Sequence, residues 1–378
     1  MAIFLIVLVA LLTHIGFAGS RLIVPLFAID QGATPFVVGT VVALYAAFPA
    51  VLALPAGRMT DRLGFKMLMV FGTGGVFVAL VLPFLWPTMA MLYITASLLG
   101  IAFMALQIAT QTLAGAIAGP AERARNFSYL SLGFALANFG GPLLTGFLID
   151  QVGYGLTFFA IALPLIPAFL VSAFGSRWIP GVHARAQAAG GGMFELLKIK
   201  PLRDTLIASG IVSAAWDVYQ FFMPIYGRAL DLSATAIGAV MSAFAISIIL
   251  VRLGLPFAAR RRGEARLLTD AMFVACAAYC LFPLFKDAWP LAGVSFLLGV
   301  ACGCGQPLSM TLVFNASPKE RAGEATGMRV TVNQVTHLAI PLLFGAVGSV
   351  VGFGAVFFTS AAFLAAGGYM SGRHHGRR

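Results

Sequence analysis

Charge is scarce in this sequence. Asp, Glu, Lys and Arg make up 10% of the 378 residues, where a soluble domain carries about 25%. Acid is scarcer still, with 13 acidic residues against 24 basic, so a surface of mixed charge solvated on all sides is excluded. Cysteine is rare: Cys276, Cys280, Cys302 and Cys304 all lie in apolar segments. They lack the companion ligands a metal site needs, and no metal centre is expected. Also missing are HExxH, GxSxG and a phosphate-cradling GxxxxGK[ST] loop, and the loops are too short for a soluble catalytic or sensor domain, so no enzyme is expected. The opening MAIFLIVLVALLTHIGFAG has no positive n-region, and no cleavable leader is expected.

Apolar residues fill the space that charge leaves. They make up 60% of the chain, the mean hydropathy is +0.96, and Phe (33) outnumbers Tyr (8) and Trp (4). The apolar runs are spread along the whole chain rather than gathered into one core segment. A membrane-spanning helix needs about 20 apolar residues, and backbone groups in hydrocarbon must be satisfied internally. Twelve helical spans are therefore expected, near 2–27, 36–56, 67–86, 90–115, 127–149, 155–175, 205–226, 234–256, 268–285, 290–313, 326–347 and 351–371. Residues 1–175 form one six-helix bundle, 176–204 a Gly/Ala-rich linker, and 205–378 a second bundle with a short basic tail.

The net charge of +11 would suggest nucleic acid in a soluble protein. Here it reports topology, because cytoplasmic loops carry an excess of Lys and Arg. With both termini cytoplasmic, 19 of the 24 basic residues fall in cytoplasmic loops or the tail. Only Arg228 and Lys286 fall on the opposite side, while Arg21, Arg252 and Arg329 lie within or at the ends of spans. An integral inner-membrane protein is expected, acting as a monomer with the lipid bilayer and a small molecule as its partners and no nucleic acid.

The two halves repeat at an offset of 199. Pro25 matches Pro224, Gly39 matches Gly238, Gly100 matches Gly299 and Gln107 matches Gln306. Pro142 matches Pro341, Gly146 matches Gly345 and Gly155 matches Gly354. One residue out of register, Pro120, Glu122, Arg123 and Ala124 match Pro318, Glu320, Arg321 and Ala322. Matches of Pro, Gln and Glu-Arg-Ala are not cheap even in an apolar chain. Six helices repeated in one orientation give a parallel repeat about an axis along the membrane normal.

Between spans 2 and 3 stands GRMTDRLGFK, with Arg58, Asp61, Arg62 and Lys66 in ten residues. With the repeat and the span count, it resembles the signature of the major facilitator superfamily, through Gly57, Asp61, Arg62, Gly64 and Lys66. The family usually carries more basic residues after the second Gly, and here Phe65 and Met67 leave only Lys66. At the repeat offset Arg62 meets Arg261 and Gly64 meets Gly263, but Asp61 meets Arg260. The basic residues are thus explained by topology in both halves. The resemblance implies that Asp61 is a conformational latch near the start of span 11. In span 5, GFALANFGGPLLTG is similar to the family's antiporter motif through Gly141, Pro142 and Gly146, with Ala137 and Thr145 where Gly is usual. The resemblance implies an all-α membrane fold of two six-helix bundles and transport by alternating access, with spans 1, 4, 7 and 10 lining a central cavity.

An ionisable group at bilayer depth costs at least about 2.5–3.5 kcal/mol on insertion scales. Asp217, midway in span 7 within AAWDVYQFF, is the clearest such group. Desolvation disfavours a bare carboxylate, which makes Asp217 a candidate for proton coupling. Arg21 in span 1 is the repeat mate of Gln220. It is a candidate to bind a carboxylate, to pair with Asp217 or to snorkel outward. Gln107 and Gln111 share a face of span 4, and Gln306 stands in span 10. With Trp216, Tyr219 and Gln220 they are the expected substrate wall. Asn138 and His337 are repeat mates in spans 5 and 11. His337 and His14 are read as packing or hydrogen-bonding residues ahead of proton carriers, and Asp30 and Asp150 at outer helix ends as solvated.

A mostly apolar cavity with amides and one opposed charge pair suits a small amphipathic organic solute. Proton-coupled efflux is the leading expectation, driven by the proton gradient without a bound cofactor. Uptake of an organic anion anchored by Arg21 is the alternative, and a non-transporting membrane sensor or enzyme the remote one.

Overall fold

A computed structural model describes residues 2–63, 65–117, 120–175, 197–317 and 322–375. Twelve α-helices account for nearly all of them. They are α1 (Ala2–Asp30), α2 (Pro35–Leu63), α3 (Phe65–Leu85), α4 (Met89–Ala116), α5 (Pro120–Ala162), α6 (Leu165–Phe174), α7 (Lys200–Ala229), α8 (Ala234–Arg262), α9 (Glu264–Leu281), α10 (Ala288–Ala316), α11 (Ala322–Val350) and α12 (Phe353–His375). Among the described residues ten helical segments are long and apolar enough to cross a membrane, and one of them, Arg125–Phe174, has 50 residues. That is length for two spans, and α5 breaks direction inside it at Gly153, φ 77°. Large apolar side chains such as Val51, Phe174 and Leu253 point outward, the side a bilayer would cover. The chain is an all-α integral membrane protein.

The chain forms two compact units. Unit 1 comprises 1–34, 40–187 and 233–242, and unit 2 comprises 35–39, 188–232 and 243–378. In unit 1, α1 packs on α5 through small residues, which let membrane helices approach closely. A Cβ on Gly141 would fall 2.9 Å from Ala18 Cβ, and one on Gly19 would collide with Thr145 Oγ1.

The repeat read from the sequence recurs in the backbone. Gly32 and its repeat mate Asp231 both have positive φ, at 81° and 58°, and so do Gly153 and Gly352, at 77° and 91°. Within unit 2 a Cβ on Gly39 would collide with the Pro341 carbonyl oxygen. Within unit 1 a Cβ on Gly238 would collide with the Pro142 carbonyl oxygen. These four residues are two repeat pairs making one contact twice.

Two expectations need correction. GRMTDRLGFK is not a loop, since α2 runs to Leu63 and α3 starts at Phe65. Gly57, Asp61 and Arg62 lie in the last turns of α2, their side chains and all of Gly64 lie outside the described residues, and so does the latch. Lys66 is exposed on the first turn of α3. Asp150 is not simply solvated. In unit 1 its Oδ1 accepts from Ala234 N at 3.1 Å and its Oδ2 from Thr235 N at 2.7 Å, satisfying two of the orphan N–H groups that begin α8. The repeat mate of Asp150 is Ser349, whose Oγ accepts from Phe36 N at 2.9 Å in unit 2 and caps α2 in the same way.

Candidate functional site

The site is built on α7, α10 and α11 of unit 2. Pro201 in the first turn of α7, after an extended Ile199, pre-sets the helical φ where no N–H is needed. From there Ser209, Ser213 and Asp217 follow at four-residue spacing and share one face. On α11, Arg329, Asn333 and His337 follow at the same spacing. The two stripes are in register. At one level His337 Nδ1 lies 2.6 Å from Asp217 Oδ1. Eight residues back on both helices, about 12 Å along the axis, Ser209 and Arg329 are joined through Ser309 of α10. Ser209 Oγ donates to Ser309 Oγ at 3.3 Å, and Arg329 Nη1 donates to the same oxygen at 3.3 Å.

Burial along the seam is deep. Asp217 is 6% exposed and Arg329 and Asn333 are each 8% exposed, whereas the His337 side chain is 28% exposed. Asp217 Oδ2, Asn333 Oδ1 and Arg329 Nε are buried with no hydrogen-bond partner among the described residues. Among the described residues Arg329 Nη2 reaches Met310 Sδ, at 3.3 Å. Between the two levels lies a narrow cavity of about 10 Å³ lined by Ser209, Ser213, Gln306, Ser309 and Asn333 together with Trp216 and Cys302. That is about the space one water occupies, and a buried water needs two to four polar partners.

Unit 1 carries a counterpart without a carboxylate. Asn138 Nδ2 of α5 lies 3.2 Å from His14 Nε2 of α1, and Asn138 also donates to the Phe134 carbonyl at 2.8 Å. The rings of Phe17, Phe103 and Phe134 surround His14, at 6.0, 4.9 and 5.0 Å. The same helix pair, first with fifth, is thus bridged in each unit, by amide and imidazole in unit 1 and by carboxylate and imidazole in unit 2. Prolines mark these positions. Pro25, Pro142, Pro224 and Pro341 lie inside helices, four residues after Arg21, Asn138, Gln220 and His337. A proline has no N–H for the carbonyl four residues back, so each polar side chain sits where its helix is already interrupted.

The other expected site residues are dispersed. Trp216 and Gln306 line the cavity, and Trp216 meets the Phe244 ring edge-on at 5.0 Å. Tyr219 is enclosed at 1% exposure and stacks on Phe244 at 4.3 Å. Gln220 is partly exposed on α7. In unit 1, Gln107 is partly exposed and Gln111 exposed on α4. The Arg21 guanidinium lies over the Phe17 ring at 5.4 Å, and no carboxylate among the described residues is within ion-pair distance of it. Ser209, Ser309, Arg329 and Asn333 were not among the expected residues. The signal that finds them is the pair of four-residue polar stripes ending on Asp217 and His337.

An all-α membrane fold with a six-helix repeat and a buried carboxylate–imidazole contact is the architecture expected of a transporter. The profile described as Major Facilitator Superfamily matches residues 6–337, and again 205–373; the chain belongs to that superfamily. Its relatives include the multidrug resistance protein MdtG of Dickeya zeae, 26% identical over 333 residues covering 86% of this chain and 81% of the relative. The class G tetracycline resistance protein of Vibrio anguillarum is 25% identical over 334 residues, covering 82% and 80%. Among solved structures the nucleoside transporter NupG aligns with a TM-score of 0.83 at 13% identity, over 99% of both chains, a likeness of fold alone.

Proposed function

We propose that this transporter exports a small amphipathic organic solute in exchange for a proton carried by the Asp217–His337 pair. The pair is the observation that carries the reading. With Nδ1–H donated to the carboxylate, the neutral imidazole leaves the pair at net −1. A proton added at Nε2, on the more exposed partner, turns it into a neutral ion pair without breaking the 2.6 Å contact. Protonation then belongs to the pair rather than to either residue. A neutral pair and an anionic pair differ in the cost of burial, so each state favours a different exposure of the site, which is what exchange requires. The names of the relatives, multidrug and tetracycline resistance proteins, support an amphipathic organic substrate and outward transport. The distribution of basic residues supports both termini being cytoplasmic in a bacterial inner membrane.

The test is substrate-driven proton release from everted vesicles, with tetracycline and ethidium as probes. Wild-type protein should release protons on probe addition, and Asp217→Asn should bind the probes without releasing protons. Proton release undiminished in Asp217→Asn removes the pair from coupling. Uptake of an organic anion is the second reading, favoured by the Arg21 guanidinium having no carboxylate partner among the described residues. Arg21→Gln would then lose binding of anionic probes only.

A further inference from the structure

We infer that the seam between α7, α10 and α11 is a water-containing proton path joining the Asp217–His337 pair to the Ser209–Arg329 end of those helices, and that Arg329 is the electrostatic barrier that keeps this path from leaking. The inference rests on the reading of the pair as the proton carrier.

Three observations lead to it. First, the polar groups recur turn by turn along the seam. Ser213 sits one turn from Asp217, Asn333 one turn from His337, and Ser209, Ser309 and Arg329 are hydrogen-bonded to one another at the far level. Second, the line is incomplete without water. Among the described residues Asp217 Oδ2 and Asn333 Oδ1 are buried acceptors with no donor, and Asn333 lines a cavity of about 10 Å³ that also has Ser209, Ser213, Ser309 and Gln306 on its walls, beside Val212 and Trp216. A cavity of that size holds a water where two to four polar partners reach it, and these serines and amides can supply them. Third, Arg329 is chemically out of place. A buried guanidinium is normally paired, yet among the described residues it has only a hydroxyl and a thioether within reach. No carboxylate among the described residues balances this cation, and Asp217 lies about 12 Å away.

A positive charge at one end of a hydrogen-bonded path repels an incoming hydronium, as cationic groups do in water pores. At about 12 Å and an effective dielectric of about 20, one unit charge contributes a factor of about ten in proton occupancy (~1.4 kcal/mol), and more for a proton passing closer. The path moves no net atom but the proton. A water donates to Asp217 Oδ2 and takes a proton from its neighbour, and the hydroxyls of Ser209 and Ser309 pass one on as they accept another. The pair then has two doors, His337 Nε2 on its exposed side and Asp217 Oδ2 on the seam. Among the described residues Tyr279 and Cys302 are further titratable side chains close to Asp217. The Tyr279 hydroxyl is spent on the Ala215 carbonyl.

The test uses the full-length protein in liposomes under a potassium diffusion potential, with an internal pH dye and no substrate. Wild type should be tight. Arg329→Gln should raise proton influx at least about tenfold, Arg329→Lys should stay close to wild type, and Arg329→Gln/Asp217→Asn should return to the wild-type level. A tight Arg329→Gln, or a leak that survives Asp217→Asn, overturns the inference. Asn333→Leu, which dries the seam without changing charge, is the second variant. It should slow substrate-driven proton release severalfold, and unaltered release overturns the path. Failure of the underlying reading has a separate signature, proton release intact in Asp217→Asn alone.

Discussion

Asp217 and His337, 120 residues apart in sequence, meet at 2.6 Å between α7 and α11. The carboxylate is almost closed off and the imidazole is not. The contact therefore bears on stability, because each partner offsets the cost of burying the other.

Removing the imidazole leaves a buried carboxylate unpaired, a change that costs about 3–5 kcal/mol. His337→Leu should lower the unfolding midpoint in detergent far more than Asp217→Asn, which leaves no charge behind. Asp217→Asn/His337→Leu should recover most of the loss. Thermal unfolding of the three variants at one pH gives the order. Equal destabilisation by the two single changes would show that the pair is not coupled in the folded state.

Asp150 and Ser349, repeat mates, cap the starts of α8 and α2. Loss of an N-cap costs about 0.5–2 kcal/mol, and a carboxylate gains further from the helix dipole. Asp150→Ala should therefore cost more than Ser349→Ala, and Ser349→Asp should stabilise. Unfolding midpoints check the ranking, and a neutral Asp150→Ala would mean that solvent serves the α8 N–H groups as well.

Gly39 and Gly238 have no room for a methyl group, since each faces a proline carbonyl. Overpacking of this kind costs about 1–3 kcal/mol. Gly155 is a control inside α5, with open space where its Cβ would lie. Gly238→Ala should reduce folded yield and midpoint, whereas Gly155→Ala should be neutral or slightly stabilising. Measured by size-exclusion recovery, similar losses at both positions would argue against the close approach.

These contacts explain how far the sequence could be read. Pro142, Pro341, Gly39 and Gly238 stand out against an apolar background, so the repeat was visible in the sequence at an offset of 199. Asp217 was visible because an acid in a span is costly enough to need a reason. His337 was not assigned to it, because the offset pairs His337 with Asn138, and symmetry says nothing about partners within one unit. The α7–α11 contact depends on which faces pack together, and only the matched spacing of 209, 213, 217 with 329, 333, 337 hints at that. Asp150 was read as solvated for a similar reason: its partners are backbone N–H groups 84 and 85 residues away, which no side-chain pattern reveals. GRMTDRLGFK was placed between spans because the apolar runs stop on either side of it. A helix end tolerates its charges, and α2 continues through them to Leu63.

The difference between the two units gives the last prediction. His14 and Asn138 bridge α1 and α5 where Asp217 and His337 bridge α7 and α11, but the first pair has no carboxylate. His14 Nδ1 is buried without a partner, and three phenyl rings surround the imidazole. A proton added there would have no counter-charge beside it, and an isolated buried cation is strongly disfavoured. The His14–Asn138 pair should therefore hold α1 on α5 without taking part in coupling. Asn138→Ala should lower the unfolding midpoint by about 1–3 kcal/mol in free-energy terms, the cost of leaving a buried imidazole nitrogen unsatisfied. The number of protons released per probe molecule should stay at the wild-type value. His14→Phe, which fills the space with a ring that cannot titrate, should give the same ratio. If either change abolishes proton release while probe binding persists, the proton site is shared between the units and the asymmetry between the two pairs is structural only.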